Sequence, residues 1–366
     1  MKKSYDAIVI GAGLAGLSVA RELAKRKQRV LVLEQDRRGG NSSRAAAGIL
    51  DPYSEADKET PQLRLTIKAY EFYPAFLKGL AKDAQEKIEF ERQGILYLAL
   101  NEKDEVFLRR RYEWQKKRRL KAEFLRGDET HRLEPVLPWR VQGGVYYPGM
   151  PKVNADKLTT LVMQSARASG VEIRTAVQNA SLWQEKGRVR GVKIGGRPVE
   201  SPVVVAARGC WTGMDRSFGA KVEVMPMRGQ ILIVRPPPNR SPRHILHTVR
   251  YAYAVPWPEG RVLIGSTLEP AGFDCRVTPE GREDILTRAS EIFADIRKFK
   301  IESSWAGLRP HAKRGRPFIG PAPIKGLFFA TGYYRTGILI SPLVGRLLAE
   351  GILTGKFSPL IRPFYP

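Results

Sequence analysis

The sequence predicts an α/β protein in which a parallel nucleotide-binding unit is interrupted by mainly antiparallel segments and then resumed. Three observations carry that prediction. The chain opens on a strand, a glycine turn, a helix and a second strand. Its middle holds short apolar runs separated by hairpin-type turns. Near the end a strand again runs through glycines into a helix.

The opening unit, residues 5–34, reads YDAIVIGAGLAGLSVARELAKRKQRVLVLE. Ala7–Ile10 suits a buried strand, residues 14–27 a helix, and Val30–Leu33 a second strand. Gly11 permits a tight turn, Gly13 lets the backbone approach a pyrophosphate, and Gly16 lets the helix lie close to the strand. The helix start offers unpaired N–H groups and a positive dipole end to phosphates. Glu34 follows Gly11 by 23 residues, where an acid accepts hydrogen bonds from ribose hydroxyls. Strand, turn, helix, strand and acid agree on a Rossmann-type dinucleotide site.

The chain has 366 residues, a length that suggests about two domains, and its 62 Lys+Arg against 37 Asp+Glu leave a formal net charge of +25. Such a surface attracts nucleic acid, anionic membrane or acidic metabolites, but charge alone names no partner. The two cysteines, Cys210 and Cys275, make neither a disulfide framework nor a metal spacing, and a reducing cytoplasm is the expected location. Lys2 and Lys3 ahead of an apolar stretch imitate a signal peptide, yet no cleavage-type site follows. No uninterrupted run reaches about 18 apolar residues, so no transmembrane helix is expected.

Residues 39–50, GGNSSRAAAGIL, form a small-residue loop whose amides can lie against a flat ligand. Helices are expected at 62–80, at 155–169 behind an Asn154 cap, at 279–299 and at 338–353. Strands are expected at 94–100, 171–177, 203–207, 222–234, 251–256, 261–266 and 327–331, and the Pro-rich tail is expected to wrap the surface. Arg208-Gly209-Cys210-Trp211 is a second glycine turn able to close over the same nucleotide. Residues 106–126 carry Arg109, Arg110, Arg111, Lys116, Lys117, Arg118, Arg119, Lys121 and Arg126. Such runs are usually solvated faces, but Tyr112 and Trp114 within it keep a nucleic-acid reading open. His244 and His247 are three apart, with no neighbouring cysteine or carboxylate triad to complete a metal site. No GxSxG, HExxH or Walker pattern occurs, so the chemistry belongs to the bound dinucleotide.

GAGLAG with Glu34, SSRAAAGIL, GLRPHAKRGRPFIG and GYYRTGILISP follow one another along the chain. Together they resemble the D-amino-acid-oxidase superfamily of flavoproteins, and within it the glycine oxidases of thiamin biosynthesis. With that resemblance the expected fold is α/β, a Rossmann-type FAD-binding domain (residues 1–85, 149–220 and 305–366) with an inserted, mainly antiparallel α+β substrate domain (86–148 and 221–304). The resemblance implies FAD, non-covalent because no cysteine follows Cys275. It implies FAD contacts from Gly11, Gly13, Leu14, Ala15, Gly16, Glu34, Gln35, Ser42, Ser43, Ala47, Gly48 and Ile49, with Val177 meeting the adenine through its backbone. Tyr333, Tyr334, Thr336, Gly337, Ile338 and Leu339 would lie beside the flavin.

The resemblance further implies that Arg309 clamps a substrate carboxylate, with Arg335 nearby. Tyr253 would help, Tyr251 being the alternative inward tyrosine. The implied reaction passes hydride from Cα to flavin N5 and leaves an imine. Water then gives an oxo-acid and an amine or ammonia, and O2 is reduced to H2O2. The implied substrate is glycine or a small primary or secondary amino acid such as sarcosine. A second reading keeps the chemistry but changes the carrier, removing the carboxymethyl group of carboxymethylaminomethyl-uridine in tRNA. Residues 109–126 would then be a platform for tRNA or another polyanion. Arg208 departs from the small residues usual in the family's second turn. The sequence leaves homo-oligomer formation open.

Overall fold

The computed structural model describes residues 4–218, 222–250 and 252–366; Tyr251 lies outside the described residues. Ala7–Ile10 and Val30–Leu33 are buried along their whole length and pair in parallel, as continuous apolar runs do when both faces are covered. The helix between them, Leu14–Lys25, stops two residues short of the expected end, because Lys27 turns into the left-handed region (φ 65). These strands lie in a six-stranded sheet, in spatial order Phe318–Pro321, Leu327–Thr331, Val204–Ala206, Ala7–Ile10, Val30–Leu33 and Glu172–Arg174. Only Phe318–Pro321 runs antiparallel.

An eight-stranded sheet carries the other half of the molecule, in the order Lys300–Ala312, Val224–Arg235, Arg261–Gly265, Tyr253–Trp257, Ile245–Thr248, Ile95–Ala99, Gly143–Tyr147 and Glu123–Arg126. Its one parallel pairing joins Ile245–Thr248 to Ile95–Ala99. The expected boundary at residue 305 falls inside Lys300–Ala312, a continuous strand paired along nearly its whole length with Val224–Arg235. The helix expected over 279–299 is Pro279–Ala289 only, capped by the Thr278 hydroxyl. After it the chain runs irregularly through buried Phe293 into a short 3-10 turn that starts at buried Ile296.

The last helix, Gly337–Thr354, is the one helix among the described residues long and apolar enough to cross a membrane, although it includes Arg346 and Glu350. Here 61% of it is buried inside the fold. It shares a core with Leu17, Leu23, Leu65 and Tyr73 of the first helix and of Pro61–Ala84. The tail does more than wrap the surface. Ile361 and Phe364 enter that same core, and the Arg314 guanidinium donates to the carbonyls of Phe364 and Tyr365 at 2.7 and 2.8 Å.

Close approach of the first and last helices depends on Gly345. A Cβ there would lie 2.6 Å from Ser18 Cβ. Gly345→Ala must force the two helices apart or strain the Ser18 turn, so it is expected to cost about 1–3 kcal/mol, read as a lower thermal midpoint. An unchanged midpoint would contradict this account of the helix contact.

Candidate active site

The nucleotide cradle is built at the carboxyl ends of the parallel strands. Gly11 (φ 113) turns the chain where a Cβ would fall on the Ala207 backbone, so the first and second glycine turns come into contact. Gly16 lies beneath Gly11, where a Cβ would strike the Gly11 carbonyl. Gly13 caps the first helix without a side-chain bond, leaving the amides of Ala15 and Gly16 in its first turn to a ligand. The Glu34 carboxylate is fixed by the amides of Ala12 (2.6 Å) and Asp36 (2.9 Å). A carboxylate has about four acceptor sites, so capacity remains for ribose hydroxyls.

A cavity of about 160 Å3 follows these residues, walled by Gly11, Gly13, Ala15, Glu34, Gln35, Ser42, Ser43 and Val177, with Arg208 and Tyr333 also in the wall. The Tyr333 hydroxyl is buried with no hydrogen-bond partner among the described residues. The Val177 amide donates to Glu34 O at 2.8 Å. Leu14 and Gly16 stay out of the wall. The Leu14 side chain is core, and its amide instead donates to Ser43 Oγ at 3.0 Å, orienting that hydroxyl. These features fit a dinucleotide.

A second, larger cavity of about 570 Å3 adjoins the first, and both include Ser42, Ala46, Pro310, Tyr334, Arg335 and Ile338 in their walls. Its wall takes in Ala47, Gly48 and Ile49 on one side and Thr336 and Leu339 on another. Gly337, at the first turn of the last helix, borders only the first cavity. Thr336 precedes that helix without a side-chain cap, so the positive end of its dipole meets the region where the cavities join.

The sheet register explains the rest of the second cavity. Directly paired residues place Tyr97, His247, Tyr253, Gly265, Ile231 and Trp305 in one row across six strands, on one face. Tyr97 stacks on His247 with ring centres 4.6 Å apart, and His247 lies 5.9 Å from Tyr253. Burial pushes the hydroxyls of Tyr97 and Tyr253 upward and holds His247 down at about 4, so this wall is neutral. His247 Nδ1 lies 3.0 Å from Thr248 O, which makes it the protonated nitrogen. His244 belongs to a different environment, where its Nδ1 meets the buried Glu134 at 3.0 Å.

Arg309, Tyr253 and Arg335 all line this cavity, but the two arginines differ. Arg309 lies over Gly229, where a Cβ would occupy the guanidinium's place. It donates to Ser266 Oγ (2.6 Å) and Thr267 O (3.2 Å), both neutral acceptors. Burial draws its pKa down, an environment that favours binding an anion. The Arg335 fork is instead occupied: Nη1 and Nη2 donate to the Glu55 carboxylate at 2.9 and 2.7 Å. Glu55, Tyr97 and His247 are wall residues that the motifs did not expose. Alternation within the strands could have placed His247 and Tyr97 on the inner face; no local signal marks Glu55.

Residues 6–351 match the family of FAD dependent oxidoreductases. The chain belongs to that family. This FAD-dependent oxidoreductase is similar to the glycine oxidase of Geobacillus kaustophilus, at 32% identity over 100% of this chain and 97% of the relative. It is 30% identical to the glycine oxidase of Pseudomonas aeruginosa, over 98% and 97% of the two chains. The crystal structure of glycine oxidase from Geobacillus kaustophilus superposes with a TM-score of 0.91 at 30% identity, covering 99% of this chain and 98% of that one. FAD is thus the cofactor, and glycine oxidase homologues support amino-acid oxidation as its chemistry.

His247 makes the site sensitive to acid. Its folded pKa, about 4, lies below the ordinary 6.5. The unfolded chain therefore takes up the proton first, and stability fully present above about pH 6.5 is lost as pH falls toward 4, by about 3 kcal/mol at most. Thermal midpoints taken from pH 7.5 down to 4.5 should fall more steeply for the wild type than for His247→Gln; parallel curves would contradict it.

Proposed function

We propose that this flavoenzyme is an oxidase of glycine or of a small primary or secondary amino acid of the sarcosine kind. FAD when bound accepts a hydride and passes electrons to O2. The observation that carries the reading is Arg309, a half-buried guanidinium lining the larger cavity and held only by the neutral acceptors Ser266 and Thr267. It suits one carboxylate, taken bidentately, with the Tyr253 hydroxyl beside it. Anchoring the carboxylate fixes Cα one bond away, so the C–H to be broken is positioned without a general base. Gly11, Gly13, Glu34, Gln35, Ser42, Ser43 and Val177 would hold the adenosine and pyrophosphate. Ala47–Ile49 and 333–339 would hold the flavin, the start of the last helix favouring negative charge.

In this reading residues 1–85, 149–220 and 305–366 serve the cofactor and 86–148 and 221–304 the substrate, while strand Lys300–Ala312 belongs to both. The imine product hydrolyses to an oxo-acid and an amine or ammonia. A place in thiamin synthesis is consistent with the glycine oxidase likeness. A tRNA-borne substrate is less well supported, because Arg118 at 4.0 Å already covers one face of the Trp114 ring.

The test is peroxide formation by the FAD-loaded protein on a panel of D-, L- and N-alkyl amino acids. Glycine or sarcosine should be oxidised, and Arg309→Ala should lower kcat/KM by at least about 100-fold. Absence of peroxide with every small amino acid would refute the reading, and an unchanged kcat/KM in Arg309→Ala would remove the clamp.

A further inference from the structure

Glu55 and Arg335, 280 residues apart in the chain, meet at the mouth of the larger cavity, where their side chains keep 39% and 37% of their surface exposed. The Tyr97 hydroxyl adds a 3.3 Å contact to Glu55 Oε1 and also receives Ser54 Oγ at 3.1 Å. The loop bearing Glu55 is held from behind. Buried Gln115 donates to the carbonyls of Tyr53, Ser54 and Ala56 at 3.1, 3.1 and 2.9 Å, and Tyr147 donates to Ser54 O at 3.1 Å. The carboxylate is thus presented to Arg335 by a fixed backbone.

Three arginines line the cavity: Arg288, Arg309 and Arg335. Arg288 is paired with Asp284 and Arg335 with Glu55. Arg309 has only neutral hydrogen-bond acceptors among the described residues. Arg309, Arg335 and Tyr253 line this one cavity, so the two guanidiniums border a common space.

We propose that Glu55 sets the charge class of the substrate: by filling the Arg335 fork it cancels a second anion subsite and confines the cavity to amino acids bearing one carboxylate. This rests on the oxidase reading above. A substrate with a second carboxylate would have to displace Glu55 from Arg335 and then lie beside it as a like charge. Removing the Glu55 charge, with its size kept, would withdraw this carboxylate from Arg335 and raise the net positive charge of the cavity it lines with Arg309, a change that favours a dianion. Glu55 acts through Arg335 and is a positioning residue.

The test compares wild-type, Glu55→Gln and Glu55→Asp holoenzymes. Malonate, succinate, glutarate and acetate are titrated as non-reacting probes, read by perturbation of the flavin absorption. Iminodiacetate and glycine are compared as substrates by peroxide release. The expected result is that Glu55→Gln raises the dicarboxylate-to-acetate affinity ratio about tenfold or more for at least one chain length. The KM of iminodiacetate relative to glycine should fall to a similar extent, and Glu55→Asp should keep wild-type discrimination. The proposal is overturned if the ratio is the same in Glu55→Gln and wild type. It is also overturned if wild type itself binds a dicarboxylate more tightly than acetate, a measurement that stands however the variants fold. Should no amino acid be oxidised by any of the three proteins, the oxidase reading fails while the binding ratios still decide the role of Glu55.

Discussion

Where strand Val224–Arg235 crosses strand Lys300–Ala312, two glycines face each other, Gly229 and Gly307. The site depends on their missing side chains. A Cβ on Gly229 would fall on the Arg309 guanidinium, and one on Gly307 would lie 2.5 Å from Ala45 Cβ. The first absence lets an arginine lie across its own sheet. The second lets the small-residue loop after the nucleotide cradle come down onto the substrate sheet. That loop is then fastened by Trp305 Nε1 to Ala45 O at 3.0 Å and by the Ser42 hydroxyl to Leu308 O. Cofactor-side and substrate-side walls are joined there, and the larger cavity is the space between them.

Sequence made the nucleotide half legible because its determinants are local. Gly11, Gly13, Gly16 and Glu34 act within one βαβ unit, and each glycine answers a steric demand that can be named from spacing alone. The substrate half was harder to read because it is assembled by register. Tyr97 lies on a strand that meets those of His247 and Tyr253 only after a long connection, and their shared face follows from pairing that no single segment encodes. The pairing of Glu55 with Arg335 is further still from local signal. Arg335 was visible through its glycine-bounded turn, but the carboxylate that occupies its fork sits in a loop without a motif. The short helix Pro279–Ala289 shows a related limit. Amphipathic spacing continues past Ala289, while Phe293 reaches the core from irregular chain and Ile296 from a 3-10 turn.

The basic stretch takes on a more specific meaning in three dimensions. Its first part lies on helix Glu102–Lys117, whose buried positions are Asp104, Leu108 and Gln115, and its end on strand Glu123–Arg126. The inner side of the helix anchors the loop at the cavity mouth through Gln115 and through Arg111, which donates to Ser54 O at 3.3 Å. Elsewhere cations are absorbed in structural tasks. Arg21 bonds Ser165 and Asp83, and Arg44 bonds Asp156 and the Gly39 carbonyl. A large positive count therefore coexists with a fold in which many guanidiniums tie loops to helices, and these do not by themselves describe an outward patch.

Charge accounting inside the cavity reaches a firmer result than charge accounting over the surface. The aromatic wall is neutral, since burial raises the tyrosines and depresses His247. Burial also raises Asp51, which is held by the Ser54 hydroxyl and by the amides of Tyr53 and Ser54 at 3.2 and 2.8 Å, so it competes poorly as an anion. Glu55 is spent on Arg335, and Asp284 on Arg288. Among the described residues that line the cavity, one full positive charge remains to be matched, at Arg309, within low-dielectric walls that strengthen its hold on a carboxylate. A single anchor of this kind fixes one end of a small molecule and leaves orientation about that anchor to shape. The neutral ring of Tyr253 and the loop Ala45–Ala47 supply that shape, and they do so at the place Gly229 and Gly307 keep open.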